Sequence, residues 1–218
     1  MIEILLIRHG ETDWNAERRL QGHLDIPLNA HGRRQAVALG KALLLEPLDA
    51  IIASDLQRAR QTAEAIGTPR GMTVSIDPGL RERCYGAFEG LRYDEISSVY
   101  PEAYAAWQAR DLDARYPRGV HAAETMREFF ARAVGAITRL ASGGGHRKIA
   151  MVTHGGVLEC AYRAAQGVGL AHARDFEVRN ASINRVRWNG AGMQITSWAD
   201  VAHLGAHTDH VVLDEIDR

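Results

Sequence analysis

Two arginines and two histidines in this chain follow apolar runs in a way that suits the handling of a phosphoryl group. Arg8 and His9 come directly after Ile4-Leu5-Leu6-Ile7, His154 comes directly after Ile149-Ala150-Met151-Val152-Thr153, and Arg58 stands shortly after Ile51-Ile52-Ala53. Each run reads as a short buried strand, and the carboxyl ends of strands in open α/β sheets are where ligands bind. If the three strands are neighbours, their ends gather two guanidiniums and two imidazoles at one place. Arg presents a planar fork that matches phosphate oxygens bidentately, and an imidazolium adds a charged donor. Helix N-termini expected near Gly10 and Gly155 add amides that attract an anion. One acid stands out as well, Glu82 in Leu80-Arg81-Glu82-Arg83-Cys84-Tyr85-Gly86. A carboxylate between two arginines is ordinarily a surface ion pair worth little. In a cleft beside a bound phosphate it can instead be held protonated and act as a general acid. Taken singly, Arg58 reads as a solvated helix residue and His154 as a helix cap; only together do they point to a site.

The elements that must position these groups follow from periodicity. Residues 3–7, 49–53 and 148–152 read as buried strands, and 72–76 as a further one. Ala36, Leu39, Gly40, Leu43 and Leu44 repeat at three and four, which predicts a helix with Asn29 as its N-cap. Helices are also predicted over 55–66, 93–110, 122–141 and 155–166. Two late runs, 183–188 and 193–197, form a hairpin around Asn189-Gly190. Strands alternating with helices predict an α/β fold, a three-layer sandwich whose mostly parallel central sheet carries helices on both faces. The polar tail from His203 onward is expected to be loosely held.

Bulk properties narrow the function classes. A length of 218 residues favours one domain, 1–218. A formal net charge of -1, from 26 basic and 27 acidic residues, argues against a nucleic-acid partner. Cys84 and Cys160 stand in unrelated contexts with no disulfide framework or metal spacing, which fits a reducing cytoplasm. No run is long and apolar enough for a membrane span or a signal segment, so no membrane partner is expected. A hydrophobic content of 46% permits a homodimer without requiring one.

The ordered fragments then carry a resemblance. Arg8-His9-Gly10-Glu11-Thr12, Trp14-Asn15, Gln21-Gly22, Asp25-Ile26-Pro27-Leu28-Asn29, Ser54-Asp55-Leu56 with Arg58-Ala59, Leu80-Arg81-Glu82, Glu89-Gly90 and Val152-Thr153-His154-Gly155-Gly156 occur in one order. They resemble the histidine phosphatase superfamily, its phosphoglycerate mutase-like branch and most of all its small bacterial phosphatases. Asn180-Ala181-Ser182-Ile183 extends the likeness. The resemblance implies His9 as nucleophile, forming a phosphohistidine, with Arg8, Arg58 and His154 as the cationic pocket and Glu82 as proton donor. Asn15, Gln21, Gly22 and Gly155 match positions that hold phosphate or substrate, and Arg83 could bind a substrate carboxylate or second phosphate. No metal or other cofactor is implied, since Arg and imidazolium supply the charge, and the partner is a small phosphorylated metabolite.

The resemblance leaves the acceptor to be read from spacing. His154 follows Glu82 by 72 positions, the short phosphatase arrangement, and Gly156-Val157 stands where mutases usually carry Asn-Ser. Glu82-Arg83-Cys84-Tyr85-Gly86 pulls toward the cofactor-dependent mutases, and Arg118-Gly119-Val120-His121 departs from the usual Gly-Gly-Glu-Ser. The balance favours a phosphatase, with residues 83–125 expected to cover the substrate. A member that had lost catalysis and kept only ligand binding would have little reason to retain both histidines and the acid. The other histidines, His23 and His121 among them, are read as ordinary, and Trp14 and Trp107 as packing residues.

Overall fold

A computed structural model of the chain describes residues 1–205. Among them, β1 (Ile2–Arg8), β2 (Ala50–Ala53), β3 (Val74–Ile76), β4 (Lys148–Thr153), β5 (Ile183–Trp188) and β6 (Met193–Asp200) form one sheet. Their order is β3–β2–β4–β1–β5–β6. The first four in that row are parallel, while β5 runs antiparallel to β1 and β6 to β5. The register pairs Arg8 with Thr153 and Ala53 with Val152, so β1, β4 and β2 end side by side. That alignment brings the three sequence-distant strand ends to one edge.

Strand residues alternate between two faces, and both faces here are buried. Ile4 and Leu6 of β1 join Ile149 and Met151 against α6 (Met126–Gly143) and α7 (Gly155–Gln166), through Phe129, Ile137 and Leu158. Leu5 and Ile7 join Ala150 and Val152 against α2 (Ala30–Ala42) and α3 (Gln57–Gly67), through Leu39, Ala59, Ala63 and Ile66. The expected sandwich with helices on both faces is the one observed. A one-turn helix, α1 (Asp13–Ala16), follows β1 and is closed by a capping box between Thr12 and Asn15. A third cluster, around Phe88, Ile96, Trp107 and Tyr116, belongs to the segment that carries α4 (Tyr93–Val99) and α5 (Pro101–Gln108).

Several boundaries depart from the periodicity, each with a physical cause. The helix expected over 93–110 is two helices, broken at Tyr100 (φ -133°, ψ 63°) ahead of Pro101. A residue before proline is pushed out of the α region, and proline suits the first helical turn. The helix expected from residue 55 begins at Gln57, whose amide donates to Asp25 Oδ1 at 2.6 Å. The helix expected from residue 122 begins at Met126 behind the Thr125–Glu128 capping box. β6 runs on to Asp200 because Asn184 Oδ1 accepts the amide of Ala199, which lies at φ 54° beside a register shift. Asn29 caps α2 as expected, its side chain accepting the Gly32 amide at 2.8 Å. Of the tail, His203 and Leu204 close a short turn of 3-10 helix; His207 and His210 lie outside the described residues. No helix among the described residues is long and apolar enough to cross a membrane.

Candidate active site

His9 sits one residue beyond β1, with its backbone fixed on both sides. Its amide donates to the Thr153 carbonyl at 2.9 Å, and its carbonyl accepts from Ala181 N at 3.1 Å and Asn180 Nδ2 at 3.0 Å. The next residue has to be glycine. A Cβ on Gly10 would stand 2.6 Å from the Gly32 carbonyl oxygen, because the loop presses against the first turn of α2. The same loop is stitched down by Glu11 N on Gln35 Oε1 at 2.8 Å and Gly10 N on Thr62 Oγ1 at 3.1 Å.

The ring of His9 lies 2.7 Å through Nδ1 from the Gly10 carbonyl oxygen. A carbonyl only accepts, so Nδ1 carries the proton and Nε2 keeps a lone pair. Burial, then the Arg58 and Arg8 guanidiniums, hold its pKa well below the usual imidazole range. His154 lies beside it, ring centroids 5.1 Å apart and edge-on. Arg58 Nε donates to His154 Nδ1 at 3.2 Å, so the proton of a neutral His154 ring is on Nε2. That Nε2 is buried without a hydrogen-bond partner. Burial and Arg58 hold the pKa of His154 well below normal too. This corrects the expectation of an imidazolium: the positive charge of the pocket comes from the arginines, and His154 is a neutral donor. Arg58 is itself fixed by the carbonyls of Gly22 (2.8 Å) and Leu24 (2.9 Å). Burial pulls its guanidinium down to about 10, still charged at neutral pH. Arg8 Nη1 donates to the Val178 carbonyl at 2.8 Å.

Glu82 faces the same cleft, and the side chains of its two flanking arginines are bound to other groups. Arg81 turns away to Asp55, at 2.7 and 2.5 Å. Arg83 donates to the Glu124 carbonyl and lies over the Tyr116 ring. The Glu82 carboxylate instead takes one backbone amide on each oxygen, Arg83 N at 2.8 Å and Gly156 N at 2.9 Å. Its own carbonyl accepts from His23 Nε2 (2.8 Å) and Arg132 Nη2 (2.9 Å). A Cβ on residue 156 would stand 2.2 Å from Glu82 Oε1, so the acid's seat requires glycine there.

Arg8, His9, Arg58 and Glu82 line one cleft of about 320 Å³, counted with its open mouth, and Asn15, Gln21 and Gly22 line it as well. Asn15 Oδ1 accepts from Thr12 N, and Thr12 Oγ1 lies 3.0 Å from both Asn15 Oδ1 and Gln21 Oε1, so its one proton goes to one of the two amide oxygens. Gly155 opens α7 behind His154, and the amide next to it, Gly156 N, serves the acid. Arg83, expected to meet a substrate carboxylate or a second phosphate, lines a chamber next to the cleft together with Glu82. Sequence reasoning missed Arg19 and Tyr93, which line the cleft, and His23 and Asn180, which hold the backbones of Glu82 and His9. Only Asn180 had a signal, the Asn180-Ala181-Ser182 fragment. The arrangement sets the lone pair of a neutral ring nitrogen beside two buried cations, a buried imidazole N–H and an oriented carboxyl.

Residues 4–201 match the model of the histidine phosphatase superfamily (branch 1). The chain belongs to that superfamily. This histidine phosphatase is 39% identical over 206 residues to phosphoglycerate mutase-like protein 4 of Arabidopsis thaliana, covering 93% of this chain and 86% of that one. Its structure is similar to that of Bacillus stearothermophilus YhfR, with a TM-score of 0.84 and 33% identity over 94% of this chain and 100% of the other. It is also similar to the alpha-ribazole phosphatase of Shigella flexneri, with a TM-score of 0.81 and 28% identity over 91% and 96%. The histidine phosphatase is an enzyme of the phosphomonoesterase type.

Proposed function

We propose that this histidine phosphatase hydrolyses the monoester of a small phosphorylated metabolite through a phosphohistidine on His9, without a metal ion. The observation that carries the reading is the hydrogen bond from His9 Nδ1 to the Gly10 carbonyl, which leaves Nε2 as a lone pair beside two buried guanidiniums. Nε2 attacks phosphorus as the ester P–O bond breaks, and the departing oxygen takes the proton of Glu82. Arg8 and Arg58 neutralise the non-bridging oxygens, and His154 donates to one of them through Nε2. Asn15, Gln21 and the Gly22 loop border the bound phosphate, and residues 83–125 cover it. In the second half Glu82 takes a proton from water, whose oxygen attacks phosphorus as the N–P bond breaks and His9 is restored. The buried free thiols of Cys84 and Cys160 suit a reducing cytoplasm.

Water is the acceptor on this reading because of the short stretch between Glu82 and His154 and the Gly156-Val157 pair. The mutase-like name of the Arabidopsis relative keeps a second acceptor, another phosphoglycerate hydroxyl, in view. Hydrolysis of p-nitrophenyl phosphate that persists in excess chelator is expected, and it should outrun conversion of 3- to 2-phosphoglycerate. Interconversion that depends on bisphosphoglycerate and exceeds hydrolysis would overturn the phosphatase reading.

A further inference from the structure

The stretch of backbone that carries Glu82 is held by side chains. After β3 the chain makes a turn of 3-10 helix over Pro78–Leu80, and residues 81–85 then belong to no helix or strand. Carbonyls that leave a sheet ladder still need donors. Four in a row find them on side chains. Gly79 and Arg81 accept from Arg132 Nη1 at 3.1 and 2.9 Å, and Leu80 accepts from Thr153 Oγ1 at 2.7 Å. Glu82 accepts from Arg132 Nη2 at 2.9 Å, beside His23. Arg132, on α6, thus serves three of the four.

The other donors of Arg132 go to one carboxylate. Its Nε reaches Glu124 Oε1 and its Nη2 reaches Glu124 Oε2, both at 2.7 Å. All five N–H groups of the guanidinium are then in use, and it lies over the Phe129 ring, 5.1 Å from the centroid. Glu124 ties down the chain on the other side of the acid. Its Oε2 accepts the Cys84 amide and its own amide donates to the Cys84 carbonyl, each at 2.9 Å. Its carbonyl takes Arg83 Nε and Nη2 at 3.1 and 3.0 Å. Burial works to raise the pKa of Glu124, but the Arg132 hydrogen bond and the Cys84 amide outweigh it, so the carboxyl stays ionised. Two-pronged, charge-assisted pairs of this kind fix direction as well as distance. Glu82 therefore sits between two supports that meet in one ion pair. Misplacing a catalytic group by about 1 Å can cost about 100-fold in rate.

We infer that Arg132 and Glu124 are positioning residues for the proton transfer by Glu82, holding the backbone of residues 79–84 so that the Glu82 carboxyl meets the leaving oxygen. The inference rests on the phosphatase reading above. A lysine at position 132 keeps the charge and loses the fork that reaches three carbonyls and a carboxylate at once.

The test compares kcat/KM for benzyl phosphate, whose leaving oxygen needs a proton, with that for p-nitrophenyl phosphate, whose leaving oxygen does not. The ratio of the two is internal to each preparation. A smaller folded fraction leaves it unchanged, whereas a misplaced proton donor lowers it. Arg132→Lys should lower the ratio by about tenfold or more, a part of what general acid catalysis supplies. Glu82→Gln sets the full loss. Adding Arg132→Lys to Glu82→Gln should lower the ratio no further, because the two substitutions disable one device. An unchanged ratio in Arg132→Lys overturns the inference, as does an undiminished further loss in the Glu82→Gln background. Should Arg132→Lys fail to fold, Glu124→Gln carries the same comparison: a lowered ratio supports the inference and an unchanged one overturns it. An unchanged ratio in Glu82→Gln itself would remove the acid. Failure of the unsubstituted enzyme to hydrolyse either ester would overturn the phosphatase reading. Each of these last two results takes the inference with it.

Discussion

At the scale of single residues, the site is a matter of protons. His9 and His154 are buried next to guanidiniums, and both are held neutral where a free imidazole would be charging. The consequence for stability has a definite sign. The unfolded chain protonates these rings near the ordinary value of 6.5 and the folded chain does not, so stability is full above that value and falls as the pH drops below it. Each ring contributes a slope approaching about 1.4 kcal/mol per pH unit. Denaturant unfolding at about pH 7.5 and about pH 5.5 should show this loss, and His154→Gln should reduce it in part, since burial also lowers the pKa of His23 and His203, which contribute alongside His9. A pH-independent stability across that range would contradict the neutral assignment. The residue types were legible in the sequence. The charge state of His154 was not, because it depends on burial and on Arg58, 96 positions away.

At the scale of elements, what periodicity can see and what it cannot divide cleanly. The apolar repeats of α2 and α6 and the Asn29 cap are local and were legible. The start of α3 was not, since its N-terminal amide is satisfied by Asp25 from 32 positions away. The break at Tyr100 was written in Pro101 but hidden by a helical pattern that continues on both sides. The first turn of α7 shows the same limit at the site itself. Gly155-Gly156 read as a helix start that could bind an anion, whereas Gly156 is the seat of the acid. Gly156→Ala should leave the fold intact, because the Cβ meets the movable end of Glu82 at 2.2 Å, and should push the carboxyl out of place. Turnover of alkyl phosphates is expected to fall by about 100-fold, within the range of general acid catalysis, and that of p-nitrophenyl phosphate far less. Equal losses on both substrates would remove Glu82 from the role of proton donor.

At the scale of the molecule, the site exists because the order β2–β4–β1 sets three strand ends at one edge. The segment around Phe88, Trp107 and Tyr116 brings the cleft a second wall through Tyr85 and Tyr93. Alternating strands and helices gave away the sandwich, and the ordered motifs gave away the family. The contribution of Arg19 and Tyr93 to the cleft was out of reach, since they come from two stretches that carry no motif. The central claim concerns one atom, His9 Nε2. It is tested most directly by rapid quench of the enzyme with a labelled phosphomonoester, followed by mapping of the label. Acid-labile, base-stable phosphate on the peptide containing His9, formed and lost at rates compatible with turnover and abolished in His9→Ala, is the result expected. Undiminished hydrolysis by His9→Ala, or label on another residue, would contradict it.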